Sequence, residues 1–195
     1  DIITSRSATI AGMEDAANRL WGVMGLTGET MRDFGPLTWC ALGDDPADYE
    51  KAEGFLMVSA GDWTSMRQDL LLQSLTHRPR PLRVANPDIV APREHGLSSE
   101  PGRFAHAVAD ATGLKPAFFG KPFANIYDLA FARLGRVSRD RVVMVGDSLH
   151  TDILGAHAAG IASVLISGYG FFAQEDADMA VKTSGIVPDF IAERP

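Results

Sequence analysis

Arg141–Asp152, RVVMVGDSLHTD, is the stretch on which the fold turns. Val142, Val143, Met144 and Val145 form an apolar run with no polar alternation, the pattern expected of a strand buried on both faces at the centre of a parallel sheet. Gly146 permits a sharp turn at the strand's carboxyl end, and Asp147 and Asp152 bracket an entry into a helix whose expected cap is Thr151. Two carboxylates then sit at one strand tip. Open α/β sheets bind ligands at that edge, and hard oxygen donors clustered there suit Mg²⁺. The plainer reading is that both aspartates serve only to start the helix at Ile153.

Upstream, Phe118–Pro122 reads FFGKP. Lys121 falls just beyond another strand's carboxyl end, where a cation would balance the aspartates and bind a phosphoryl oxygen. Taken alone it is a surface lysine after a strand. Around these two stretches, helix and strand patterns alternate: Phe104–Ala111 helical, Pro116–Phe119 strand, Ile126–Leu134 helical, Val142–Val145 strand, Ile153–Ala159 helical, Ser163–Ile166 strand. Such alternation predicts βαβ winding and a parallel sheet.

The earlier part predicts a second, smaller α/β module. Ile10, Met13, Ala17, Leu20, Trp21 and Met24 recur at helical spacing over Ser7–Met24, giving a core or hinge helix. Leu37–Leu42, Gly54–Ala60 and Pro81–Asn86 read as strands, and Trp63–Leu75 as a helix capped by Asp62. Asp44, Asp45 and Asp48, in a turn-rich segment, and the arginines of HRPRP (residues 77–81) read as solvated charge. Asn86–Gly102 has no apolar periodicity and is expected to be a long loop, of the kind that often carries function.

Composition narrows the function. The chain has 195 residues, 46% hydrophobic and 22% charged, as in ordinary globular proteins. A net charge of −7 argues against nucleic acid or an anionic membrane as partner. Cys40 is the only cysteine, so an intrachain disulfide and a cysteine-rich zinc site are both ruled out, which fits a cytoplasmic setting. No run approaches the roughly 20 apolar residues of a membrane span.

FFGKP together with VGDSLHTD resembles the third and fourth motifs of the haloacid dehalogenase (HAD) superfamily. With NPD at Asn86–Asp88 and the run GDSLHTDILGAHAAG, the chain is similar to the class IIA, nitrophenylphosphatase-like subclass. The resemblance implies a Rossmann-like parallel-sheet core with an inserted α/β cap. The expected division is a hinge helix at 1–18, the cap at 19–102 and the C-terminal part of the core at 103–195. It also implies that Lys121 stabilises the nucleophile and the transferred phosphoryl group, that Asp147 ligates Mg²⁺, and that Asp152 supports the metal or the lysine. Asn86 and Asp88 would lie near the substrate entrance, with Arg93 and His95 meeting the leaving group of a small phosphorylated substrate. A homodimer through the cap is the assembly to be considered.

The family's DxDGT-like nucleophile motif and its second motif do not occur in this sequence, and the only D-x-D, Asp176 and Asp178, follows no buried strand. The chain thus reads as cap plus C-terminal core of a longer phosphatase. Two rivals remain. Gly146–Leu149 spells GDSL, the name motif of a serine esterase family, which would make Ser148 a nucleophile; that family needs a later Asp-x-x-His, and no such pairing follows. The other rival is a non-catalytic HAD-like binding or regulatory domain that kept the fold.

Overall fold

The computed structural model describes residues 1–13, 18–25, 31–94, 96–173 and 175–195. They form two compact units, Asp1–Gly120 and Lys121–Pro195.

In the first unit, helix α1 (Ser5–Ala11) precedes strands β1 (Leu20–Met24), β2 (Thr38–Ala41), β3 (Gly54–Met57) and β4 (Leu82–Val84), with α2 (Pro46–Lys51) and α3 (Ser65–His77) between them. Strands β5 (Val90–Arg93) and β6 (Gly96–Ser99) make a separate antiparallel hairpin. Helix α4 (Pro101–Thr112) then leads to β7 (Ala117–Phe118), which returns to the sheet beside β4. The sheet runs β2-β1-β3-β4-β7, and every pairing in it is parallel. Alternation along β3 feeds both faces. Phe55 and Met57 pack with Tyr49, Leu71, Leu75 and Val108 on one side, while Leu56 joins Trp21, Val23 and Phe34 on the other.

Several sequence expectations shift here. The helix predicted over Ser7–Met24 stops at Ala11, and Leu20–Met24 is instead a buried strand next to the middle of the sheet. Its apolar residues satisfy both periods, and pairing with β2 and β3 on its two edges wins. Gly22 permits that fit, since a Cβ there would lie 2.8 Å from a Leu42 methyl. Thr64, not Asp62, caps α3 by accepting from the Arg67 amide. The expected loop at Asn86–Gly102 contains the β5–β6 hairpin, whose four-residue strands are too short to show in the apolar pattern. Within the first unit α4 buries Ala105 and Val108 in the core and β7 pairs with β4.

Arg80, expected in a solvated loop, is only 8% exposed. Its guanidinium donates to the carbonyls of Tyr49, Ala52, Ser74 and Arg78 and to the Ser74 hydroxyl, and sits 4.8 Å from the Phe55 ring centroid. Burial, and then the neighbouring Arg78 charge, lower its pKa. It works as a strut between α2, α3 and β4. The acidic segment is likewise structural: Asp44 pairs with Arg67 at 2.7 Å, Asp45 accepts from the Ala47 amide, and Asp48 pairs with Lys51 at 2.7 Å.

In the second unit, α5 (Ala124–Leu134), β8 (Val143–Gly146), α6 (Leu154–Ala159), β9 (Ala162–Ile166), α7 (Ala177–Ser184) and β10 (Phe190–Ala192) follow in order. The three strands pair parallel as β10-β9-β8. The strand expected at the centre is therefore an edge among the described residues. Val143 and Val145 are 50% and 46% exposed, so its second face is uncovered rather than buried. On the covered side Tyr127, Ala156, Ala159 and Ile161 make one cluster and Leu149, Ile153 and Leu165 another.

Asp189 fastens β10 to β9. Its Oδ2 accepts from the Ser163 hydroxyl and the Ser163 amide, both at 2.8 Å. These bonds, the hydroxyl's first, hold its carboxyl below the usual 3.8. A depressed folded pKa gives stability that is present above the unfolded value and lost as pH falls through the folded one. The stability advantage of the parent over Asp189→Asn should thus hold at neutral pH and shrink on acidification below about pH 4. Urea unfolding of both proteins across that range checks it. A gap constant down to pH 3 would leave Asp189 without this role.

Candidate active site at the tip of β8

Asp152 organises this site. It is 2% exposed, and both of its oxygens are engaged. Oδ1 accepts from Lys121 Nζ at 2.5 Å, while Oδ2 accepts from the amides of Asp147 at 3.1 Å and Ser148 at 3.2 Å. One carboxylate thereby holds the GKP lysine and the turn that follows β8. Gly146 makes room for it, because a Cβ there would fall 2.2 Å from Asp152 Cγ. This requirement for glycine is one of close approach, not of backbone angle.

The helix entry is not capped by Thr151. Leu149–Ile153 forms a single π-turn in which the amides of Asp152 and Ile153 both reach the Ser148 carbonyl. The wider turn swings Asp152 back under the strand tip. Such π-bulges are common at functional sites.

Asp147 differs from Asp152. It is half-buried, and among the described residues its carboxylate takes part in no hydrogen bond or ion pair. It lies over Gly170, where a Cβ would come within 1.5 Å of its Oδ2. Lys121 is 41% exposed on its side chain, so its ammonium keeps an open side beyond Asp152. A free carboxylate and a tethered ammonium thus flank one turn, an arrangement able to hold a cation and a phosphoryl oxygen side by side. Among the described residues no three His, Cys, Asp or Glu side chains gather as a metal cage. Mg²⁺ does not need one: it takes one or two carboxylates and completes its shell with substrate oxygens and water. The free Asp147 carboxylate fits that demand, and Asp152 is committed to Lys121.

Tyr127, which the sequence did not single out, sits behind this pair. Its hydroxyl is buried without a hydrogen bond among the described residues, and a Cβ on Gly155 would lie 2.3 Å from it. Burial, and then the Asp152 charge, push its pKa up to about 12. Ser148, the residue of the GDSL reading, gives its amide to Asp152 and its carbonyl to the π-turn, which makes it part of the scaffold.

The remaining sequence candidates lie in the first unit. Asn86 Oδ1 accepts from the Asp88 amide at 3.1 Å, and its Nδ2 donates to Glu100 at 3.3 Å. The Asp88 carbonyl accepts from the Gly102 amide at the start of α4. Arg93 pairs with Glu100 at 2.7 Å while its side chain stays 61% exposed. His95 lies outside the described residues. Glu100, also missed in the sequence, is the residue that connects Asn86 and Arg93. Its burial before a Pro-Gly pair is not visible in any local pattern.

The fold is that of the HAD-type phosphatases. A possible sugar phosphatase of the HAD superfamily from Cytophaga hutchinsonii superposes with a TM-score of 0.81 at 24% identity, covering 99% of this chain and 70% of that one. The p-nitrophenyl phosphatase from Archaeoglobus fulgidus gives 0.77 at 23%, covering 97% and 70%. Residues 118–193 match the family described as HAD-hydrolase-like. Over 81 residues the chain is 33% identical to a dihydroxyacetone phosphatase of Corynebacterium glutamicum, and over 79 residues 35% identical to an acid sugar phosphatase of Staphylococcus epidermidis. These matches cover 42% and 40% of this chain but only 29% and 30% of the two relatives. No helix among the described residues is long and apolar enough to cross a membrane.

Proposed function

We propose that the chain forms the cap, residues 19–102, and the C-terminal part of the core, 103–195, of a Mg²⁺-dependent HAD-type phosphatase acting on a small phosphorylated metabolite. The observation that carries this reading is the Asp152 carboxylate, which holds the Lys121 ammonium and the Asp147–Ser148 amides at one strand tip and leaves the Asp147 carboxylate free.

Each group has a task in phosphoryl transfer. The Lys121 ammonium offsets negative charge growing on the phosphoryl oxygens, the electrostatic contribution that dominates this chemistry. Asp152 keeps that ammonium in place before substrate arrives, so none of its ordering is left to the reaction. Asp147 would hold the metal. Mg²⁺, when bound, supplies further positive charge against the phosphoryl group. The attacking aspartate, which in this reading carries the phosphoryl group transiently, and the general acid belong to a DxDGT-like motif outside these 195 residues. Substrate-contacting roles for Asn86, Asp88, Arg93 and His95 are part of the same proposal.

The absence of that motif from the sequence also favours a second reading, a HAD-like binding or regulatory domain without turnover. Phosphate release from p-nitrophenyl phosphate by the full-length protein separates the two. Turnover abolished by chelation and restored by Mg²⁺ is expected; binding of a phosphorylated metabolite without turnover selects the second reading, and turnover indifferent to chelation removes the role of the metal.

A further inference from the structure

Tyr127 is 7% exposed and packs in the second unit with Ala156, Ala159 and Ile161, and with Phe131 and Met144 at the margin. These neighbours are all apolar. A phenylalanine would fill the same space, so packing does not account for the hydroxyl. That hydroxyl is buried without a hydrogen bond among the described residues, an unfavourable state for a polar group unless another conformation pairs it. Gly155 makes its place, since a Cβ there would collide with it. A helical Cβ tilts toward the helix N-terminus. The hydroxyl therefore stands on the side of the preceding turn, the one that holds Asp152.

Asp152 is the group with a use for a second donor. A carboxylate offers about four lone-pair sites. Oδ2 accepts from two backbone amides, whereas Oδ1 depends on Lys121 Nζ alone among the described residues. In the phosphatase reading Lys121 must also meet a phosphoryl oxygen, and its half-exposed side chain has room to turn. Once it turns, Oδ1 is a buried anionic oxygen without a donor, which is strongly unfavourable. Pivoting about the amides at Oδ2, the carboxylate can carry Oδ1 toward the phenol. Burial, and then the Asp152 charge, push the phenol's pKa up to about 12, so its proton stays on it and only hydrogen bonds are exchanged.

We propose that Tyr127 is a positioning residue whose hydroxyl takes over Asp152 Oδ1 when Lys121 turns to a phosphoryl oxygen, so that the lysine can leave its buried partner without stranding it. Lys121, Tyr127, Asp152 and Gly155 all belong to the second unit. The proposal rests on the phosphatase reading for the anion that draws Lys121 away, while the exchange of donors is a property of this unit by itself.

The first test is a cycle of urea unfolding on the full-length protein carrying Tyr127→Phe, Lys121→Ala, or both. With Lys121 in place, removing an unpaired hydroxyl should leave the folding equilibrium constant unchanged or slightly raised. In Lys121→Ala, where the phenol is the remaining donor to Oδ1, the same change should lower it about tenfold, the scale of one hydrogen bond to a charged group. An equal effect in both backgrounds would overturn the proposal, and the cycle needs no turnover. The second test follows the carbon resonance of isotope-labelled Tyr127 Cζ, assigned by its loss in Tyr127→Phe, during titration with inorganic phosphate. It should move on binding, and Lys121→Ala should show the moved position without phosphate. Calorimetry should find phosphate bound about fivefold more weakly by Tyr127→Phe, because Lys121 is then harder to release. Phosphate that binds without moving the resonance, or equally well to Tyr127→Phe, would also overturn the proposal. Should Lys121→Ala fail to fold, the phosphate titration decides. If the parent binds no phosphate, the phosphatase reading has failed, and the unfolding cycle still judges Tyr127.

Discussion

Asp152→Ala is expected to destabilise the Lys121–Pro195 unit by about 2–4 kcal/mol, the range for removing a buried, hydrogen-bonded carboxylate and stranding its partners. The side chain is 2% exposed, and its loss leaves the Asp147 and Ser148 amides without an acceptor and an empty space beside Gly146. Lys121 contributes less to this cost, because an ammonium 41% exposed can turn to water. Asp152→Asn is the informative companion. Its amide oxygen can still accept from the two backbone groups, but its NH₂ opposes the Lys121 ammonium, so about half the penalty should remain. Unfolding in urea followed by far-ultraviolet circular dichroism reads both values; two midpoints equal to that of the parent would show that Asp152 is not the keystone of the turn.

Asp147→Asn should give the opposite profile, with the fold intact and turnover of the full-length protein lowered by about 10²–10³-fold, the scale on which a single preorganised charge acts on a transition state. The structural reason is that the Asp147 carboxylate supports no hydrogen bond or ion pair among the described residues, so its charge is not used to hold the chain. The two expected results differ in kind, a loss of stability at Asp152 and a loss of turnover at Asp147. Melting curves alongside p-nitrophenyl phosphate kinetics at limiting Mg²⁺ test the pair of statements. A melting point several degrees below the parent would reveal a structural role, and near-parental turnover would remove Asp147 from the chemistry.

The contrast explains why two carboxylates five residues apart behave differently. Without the π-turn at Leu149–Ile153 both would point along a regular helix entry, where each would act as a weak cap. The turn brings Asp152 back under Gly146 and commits it to Lys121, leaving Asp147 at the rim. Tyr127 closes the rear of the pair with a hydroxyl that water does not reach. A buried phenol pushed up to about 12 stays neutral throughout the working range and adds no charge beside Asp152.

Local sequence by itself determined the parts governed by short-range physics. The apolar run before Gly146, the GKP turn and the GD-to-TD spacing specified a strand, two chemically charged tips and a parallel α/β architecture, because period, turn residues and apolar content are all local. Helices α3, α4 and α5 followed from 3.6-residue spacing for the same reason. The resemblance carried by the motifs, specific from about Val84 to Gly168, overlaps the family match at 118–193. What only the tertiary structure decided is where partners come from far along the chain. Leu20–Met24 became a strand because two neighbours claimed its edges, Arg80 was buried because carbonyls of Tyr49, Ala52 and Ser74 converge on it, and Glu100 gathered Asn86, Arg93 and Ser98 around one carboxylate. Val143 and Val145 carry the signature of a doubly covered strand, yet burial depends on a neighbour that a hydrophobic pattern can only request. The division of labour between Asp147 and Asp152 belongs to this second group: identical side chains acquire different roles from the atoms placed within hydrogen-bonding distance, and that placement is a property of the folded chain.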